Sequence, residues 1–423
     1  MKIVVVGAGF AGVTAARELH RAGVDVTVLE AADRVGGRAH TVTSSLGTAV
    51  DLGGMWLGPK HHALSRLAAE YEVTTFPTPT QGRRRILDGR ITSAWSALLV
   101  GGVALLRLSL PSTDDRTTIA HWLSRLPHPA ARRLVEVVVA EALAADTDQV
   151  TRQAFASAVR SSGGLESMLG VSGGAQDSLL TGGAGALVAR IAADLPVHLS
   201  RPATAITRTD SGVVVETPDG PVRADHAIIA VPPPVSALIH HDPPLPPSRA
   251  LVEQNTVMGA IYKAIAVYER PFWRAAGLSG EVISLTGLVP AVFDVSPPDG
   301  PGHLGFLVPG HRARTLSELS VEDRKATLLD TAAQALGPAA LTPVDWHEKS
   351  WHDDPHVQGG YSALPLPGRY AATRQSPTPI GRLHWAGTET SDAWPGYLEG
   401  AVRSGLRAAR EVLQSGTEVT GRQ

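Results

Sequence analysis

Apolar residues gather at the start of the chain into one run, Lys2 to Val6. The run is too short for a helix and rich enough in β-branched residues for a strand buried on both faces. A helical spacing follows from Ala11 to Arg21, and a second apolar strand, Val26 to Leu29, ends at Glu30. Further on, the pattern predicts a short helix over Ala63 to Glu70 and a mainly helical insertion over 77–180, with Ala130 to Leu143 as its clearest helix. A helix over Leu187 to Leu195 is followed by a hairpin, Val213 to Glu216 and Val222 to Ala224, around a Pro-Asp-Gly turn. The apolar strand Ala227 to Val231 stops at Pro232. Thr256 to Tyr268 alternates as one long strand, Leu383 to Ala386 forms another, and a helix runs from about Glu399 to Leu413. No internal repeat interrupts this order. Strand, glycine turn and helix recur in separated pieces of chain, which predicts an α/β nucleotide domain of Rossmann type with other elements inserted.

The glycines say what that domain holds. Gly7, Gly9 and Gly12 have the GxGxxG spacing between the first strand and its helix. Such a turn lets backbone approach a pyrophosphate, and the helix N-terminus offers free N–H groups and partial positive charge. Glu30, eighteen residues after Gly12, stands where a carboxylate accepts hydrogen bonds from a ribose. The continuation through Asp33-Arg34-Val35-Gly36-Gly37-Arg38 resembles the extension of FAD-dependent oxidoreductases, with Arg38 as a charged donor to the pyrophosphate. A second glycine-rich turn, Gly53-Gly54-Met55-Trp56, follows a strand-like segment.

Composition narrows the classes. At 423 residues the chain can bury a large core and is expected to form two domains. A net charge of −2 argues against a nucleic-acid partner and an anionic membrane face. With no cysteine, disulfides, thiolate metal sites and cysteinyl flavin links are excluded. The longest apolar run, Ala94 to Leu106, is too short to span a bilayer. The first strand begins at residue 2, leaving no room for a secretory signal, so the expected compartment is the cytoplasm.

One lysine stands out. The chain has five lysines against thirty-three arginines, and Lys263 lies mid-strand on the face of Ile261, Ile265 and Val267. It reads either as an edge lysine snorkelling to solvent or as a buried amine of altered basicity. Arg83-Arg84-Arg85 reads as a solvated edge, and Trp351 to His356, with a proline and no regular scaffold, as a turn and not a metal site.

In ordered blocks the chain resembles the flavin-containing monoamine oxidase family along nearly its whole length, least from 86 to 130. The blocks are VVVGAGFAGVTAARELHRAG, VLEAADRVGGR, DLGGMWLGP, TGGAGALVARIA, AIIAVPP, MGAIYKAIAVY, the segment Trp351 to Tyr361, and LHWAGTETSDAWPGYLEGAVRSGLRAARE. The resemblance implies a Rossmann-type FAD domain of three segments, 1–77, 181–252 and 354–423. It also implies an α+β substrate domain of antiparallel sheet and helices, 78–180 and 253–353. It assigns nucleotide binding to Gly7, Gly9, Gly12, Glu30, Arg38 and Ala203. Gly53, Gly54, Met55, Trp56, Trp351 and Leu398 are placed beside the flavin ring, and Glu389 towards the pyrophosphate. Lys263 matches the lysine that holds a water near the flavin, Tyr361 and Tyr397 the aromatic pair in front of it, and Gln176 a side chain of the substrate cavity. The implied chemistry is oxidation of a primary or secondary amine to an imine, with O2 reduced to H2O2.

Departures from the family refine this. Gly360 stands where mitochondrial members carry the cysteine that ties down the flavin, so FAD is expected to be non-covalent. Their membrane helix has no counterpart, and the 86–130 entrance is unlike theirs. Met55-Trp56 occupies the place where amino-acid oxidases put an arginine, which favours an amine substrate. An amino-acid oxidase or a desaturase on the same fold is the alternative, and a non-catalytic flavoprotein the third reading. The expected partners are an amine and O2, without nucleic acid or membrane, and a homodimer is left open.

Overall fold

The structure is a computed structural model that describes residues 1–87, 94–373 and 377–420. The apolar run at the start forms β1 (Lys2–Val6), the centre of a five-stranded sheet. In order, the sheet contains Leu383–Trp385, His226–Ile229, β1, β2 (Asp25–Leu29) and Val197–His198, and every neighbour is parallel. Because side chains alternate along a strand, β1 buries both faces. Ile3 and Val5 pack under α1 (Phe10–Arg21) and the helix Leu398–Thr420, against Val13, Val402 and Val412. Val4 and Val6 pack with Ile206, Val215 and Trp385, beside a second sheet that contains the expected hairpin. The last helix runs further than the Leu413 limit read from its sequence. The helix expected at Leu187 to Leu195 spans Ala184–Ala192 instead, because the Asp51 carboxylate accepts the Ala184 N–H (3.1 Å) and fixes an earlier start.

The other large sheet has six strands, ordered Asp345–Ser350, Ile261–Tyr268, Gly302–Pro309, Ala291–Asp294, Leu278–Ser284 and Arg83–Leu87. One correction arises here. The alternating stretch from Thr256 is two strands, not one: Thr256–Met258 pairs with Ala363–Pro365, and the six-stranded sheet begins only at Ile261. The break is at Gly259, where a Cβ would stand 2.2 Å from the Gly360 carbonyl oxygen. The 77–180 insertion is mainly helical, as read, and also carries the short strands Ser178–Leu180 and Arg83–Leu87, the latter at the edge of this sheet with its three arginines exposed. The helices of the insertion, Ala94–Ser109, Ile119–Leu123, Pro129–Leu143, Arg152–Ser161 and Leu165–Leu169, share a core around Leu108, Val135 and Phe155. Residues 88–93 of the entrance region lie outside the described residues.

Strand alternation decides which face Lys263 joins. Tyr262, Ala264 and Ala266 pack under the helix Val321–Leu336, with Phe306, Leu328 and Ala332. Ile261, Lys263, Ile265 and Val267 take the opposite face, where Ile265 and Val267 meet Val50, Leu52 and Met55. No helix among the described residues is long and apolar enough to cross a membrane.

Candidate active site

A cavity of about 910 Å³ extends from the glycine turn after β1 to the wall formed by Leu134, Val138 and Glu141. It brings together all but one of the residues singled out in the sequence. Gly7, Gly9, Glu30, Arg38, Gly53 to Trp56, Gln176, Ala203, Lys263, Trp351, Tyr361, Glu389, Tyr397 and Leu398 line it. Gly12 stands just behind, in the first turn of α1.

At the nucleotide end the turn is as tight as the glycines predict. Gly7 has φ +104°, and a Cβ at Gly12 would stand 1.9 Å from the Gly7 carbonyl oxygen. Gly9 begins α1 without a side-chain cap or an acidic residue in the first turn, and Gly9, Phe10 and Ala11 face the cavity. An uncapped helix start facing a cavity suits a pyrophosphate. The Glu30 carboxylate accepts the Ala8 N–H (2.6 Å) and the Ala32 N–H (2.9 Å), which orient it while leaving lone pairs for a ribose. This chemistry fits the dinucleotide half of FAD.

Arg38 is held more firmly than its sequence suggested. Its guanidinium donates to both Glu389 oxygens (2.6 and 3.2 Å) and to the Tyr361 carbonyl (2.8 Å). Glu389 also accepts the Ala363 N–H (3.2 Å). Burial pushes the Glu389 carboxyl up, but Arg38 and these donors outweigh it and hold its pKa below the ordinary value. The pair therefore joins the first glycine-rich segment to the turn that presents Tyr361.

Further into the cavity, Lys263 is buried at 3 % exposure and does not snorkel to solvent. Its Nζ donates to the Gly53 carbonyl (2.7 Å) and approaches the Met55 sulfur (3.1 Å). Burial lowers its pKa from 10.5 to about 8, opposed by Asp51. Trp351 is fixed by its indole N–H, which donates to the Leu52 carbonyl (2.7 Å), and the Lys349 amine lies 4.7 Å from its ring centroid. Trp351 to His356 forms turns, as read, and no group of metal-ligating residues occurs among the described residues.

Tyr361 and Tyr397 come from different turns and face one space. Burial raises the Tyr361 phenol well above its usual pKa, with Glu141 and Tyr397 adding to the effect. Burial likewise raises Tyr397 to about 12. Both rings are therefore neutral throughout the physiological range. Tyr397 packs edge-on against Trp394 (5.1 Å) and His61 (5.6 Å). Gln176 lines the same space, its carbonyl accepting from the Thr78 hydroxyl (2.7 Å).

Several supporting residues escaped the sequence reading. Arg34 donates to the carbonyls of Val35, Gly37 and Ala39, tying together the loop before Arg38. Glu399 is fully buried and accepts the N–H groups of Ala63 (3.1 Å) and Leu64 (2.8 Å). His61 accepts the Gly58 N–H at Nδ1 (2.9 Å) and stacks 4.3 Å from Trp394. None of these carries a sequence signal, because each partner is a backbone group or ring brought near by folding. Glu141 did carry one: it follows Leu134 and Val138 on one stripe of its helix, an acid in an apolar row.

The chain matches the sequence model of the flavin containing amine oxidoreductases over residues 10–413. It is 36 % identical over 440 residues to the Mycobacterium tuberculosis protein AofH, named after the flavin-containing monoamine oxidases, covering 97 % of this chain and 96 % of that one. To the cattle (Bos taurus) flavin-containing amine oxidase B it is 33 % identical over 450 residues, 98 % of this chain and 86 % of the other. Among solved structures, cyclohexylamine oxidase from Brevibacterium oxydans superposes with a TM-score of 0.91 at 30 % identity, over 98 % of this chain and 99 % of that one. Putrescine oxidase with bound putrescine does so with a TM-score of 0.91 at 28 % identity and the same coverage. The chain thus belongs to the flavin-containing amine oxidoreductases, and it is an FAD-dependent enzyme that oxidises amines with O2 as acceptor.

Proposed function

We propose that this enzyme oxidises a primary or secondary amine bound between Tyr361 and Tyr397, with Lys263 holding the water that serves the reaction. The observation carrying this reading is the buried Lys263 amine, bonded to Gly53 in the same cavity as both tyrosines. FAD would be held by the backbone of Gly7, Gly9 and Gly12, by Glu30 and by Ala203. Gly53, Gly54, Met55, Trp56, Trp351 and Leu398 would lie along its ring system. Arg38 and Glu389 would close the pyrophosphate side as a pair. The segments 1–77, 181–252 and 354–423 would form the FAD half, and 78–180 with 253–353 the substrate half. With Gly360 in place of a cysteine, the cofactor would be bound without a covalent link.

When bound, FAD would supply the two-electron acceptor for oxidation at the amine α-carbon, with O2 as the final acceptor and H2O2 as its product. The protein's part is placement. The two neutral ring faces attract and orient the amine nitrogen, and the apolar wall of Leu134, Val137 and Val138 keeps water away. Such a desolvated site favours the neutral amine, whose lone pair assists C–H cleavage, over its ammonium form. Lys263, near pKa 8, is close enough to neutrality to hold a water through either donation or acceptance. Gln176 would contribute a polar contact on the substrate side.

Two assays test the reading. H2O2 release is measured with aryl-alkylamines, alkylamines, secondary amines and amino acids. Release with amino acids alone would transfer the assignment to an amino-acid oxidase. Acid precipitation should leave the yellow cofactor in the supernatant; colour in the pellet would refute the non-covalent state.

A further inference from the structure

Glu141 is an acid with no structural duty. It sits on the helix Pro129–Leu143, on the cavity wall otherwise made by Leu134, Val137, Val138 and Ala142. Its Oε1 is shut off from solvent without a hydrogen-bond partner, and neither oxygen makes an ion pair among the described residues. The Arg312 charge opposes this burial without overcoming it. Other buried acids of the molecule are satisfied: Glu389 by Arg38, Glu399 by two N–H groups, and Glu253 by Ser236 and Arg249. Leaving a buried carboxyl unpaired is costly, and a structural role would supply partners.

Two features connect this acid with the substrate. It faces the same space as Tyr361, Tyr397 and Gln176. It is also near enough for its charge to act on the Tyr361 phenol. Burial has raised its carboxyl to about 8, so the empty site favours the neutral acid and a cation brought beside it would draw it back to the carboxylate.

We propose that Glu141 receives a second cationic group of the substrate, so that the preferred substrates are diamines or amines with a charged nitrogen at the far end. One nitrogen then sits neutral between the tyrosines, while the other stays protonated on Glu141 as a charge-assisted pair. This rests on the amine site proposed above and deepens it. The apolar stretch between the two ends fits a hydrocarbon spacer, and the single acid sets which end is held.

The test compares kcat/KM for α,ω-diaminoalkanes with n-alkylamines of equal length, in the wild type, Glu141→Gln and Glu141→Leu. Folding is checked by the flavin spectrum. The wild type should favour the best diamine over its matched monoamine by about tenfold or more, the scale of a hydrogen bond to a charged group. That preference should fall to near one in both variants. An unchanged ratio in Glu141→Gln, or no preference in the wild type, overturns the inference. A diamine whose α-carbons carry methyl groups in place of hydrogen (2,5-diamino-2,5-dimethylhexane) is not oxidisable and provides a second readout by flavin fluorescence, and its Kd should weaken about tenfold in Glu141→Gln. If the wild type oxidised no amine, the amine-site reading would fail, and this Kd would still decide the role of Glu141. Equal values in both proteins would refute it.

Discussion

The Lys263 amine donates a 2.7 Å hydrogen bond to the Gly53 carbonyl, joining residues 210 positions apart in the chain. One belongs to the six-stranded sheet, the other to the glycine-rich segment after Ala49–Asp51, so the bond fixes a buried amine where the two meet. Removing it should separate cofactor retention from turnover. Lys263→Met is expected to keep FAD while kcat/KM for amines falls roughly a hundredfold or more, the range of a lost proton-handling group. Absorbance of the purified variant and steady-state assays check both parts.

The same lysine makes stability depend on pH. Its folded pKa, about 8, lies below the 10.5 of the free side chain. Between these values the unfolded chain binds more protons, so this contribution to stability rises with pH from 8 to 10.5 and is at its lowest below 8. Relative to the wild type, Lys263→Met should therefore gain melting temperature at pH 7, and the gain should shrink towards pH 10. A difference independent of pH would contradict the buried charge.

Arg38 and Glu389 are a nearly buried pair, with side chains 23 % and 6 % exposed. Removing one partner leaves the other charge uncompensated, a loss of about 3 kcal/mol or more. Glu389→Ala should lower the melting temperature and release FAD, because Arg38 also holds the Tyr361 turn. The double variant Arg38→Met/Glu389→Ala should recover part of the stability without recovering cofactor affinity. Thermal melts and FAD titration distinguish these.

At Tyr361 the ring, not the hydroxyl, is expected to act, since burial holds the phenol neutral. Tyr361→Phe should retain kcat/KM within about threefold, and Tyr361→Ala should lose roughly tenfold or more, consistent with the packing and N–H···π contacts of one aromatic ring, about 1–1.5 kcal/mol. A Phe variant as poor as the Ala variant would give the hydroxyl the role.

His61 supports Tyr397 from behind and is held near pKa 4 by burial, with His62 adding to the effect. It stays neutral at every working pH. His61→Ala should raise KM more than it lowers kcat, by letting the Tyr397 ring move, and should leave the shape of the pH profile unchanged. A shifted acid limb would show that His61 titrates in the reaction.

Much of this architecture can be read from the sequence where local chemistry sets it. A buried strand, three spaced glycines and Glu30 need no distant partner to be recognised, and each stands where its spacing places it. Lys263 was ambiguous for a physical reason: alternation gives a strand face but not what covers that face. Gly53 and Met55 cover it. The break at Gly259 was missed because alternation continues through it, and only the approach of Gly360 explains it. Arg34, His61 and Glu399 were invisible because their partners are backbone groups far away in sequence or rings positioned by the fold.

Amines should donate electrons to the flavin of this chain from a site defined by Lys263, Tyr361 and Tyr397. Anaerobic mixing of the purified protein with an amine panel, followed by flavin absorbance, tests it most directly. At least one primary or secondary amine should bleach the flavin rapidly in the wild type, slowly in Tyr361→Ala and hardly at all in Lys263→Met. A flavin that bleaches equally fast in all three proteins, or with no amine at all, would contradict it.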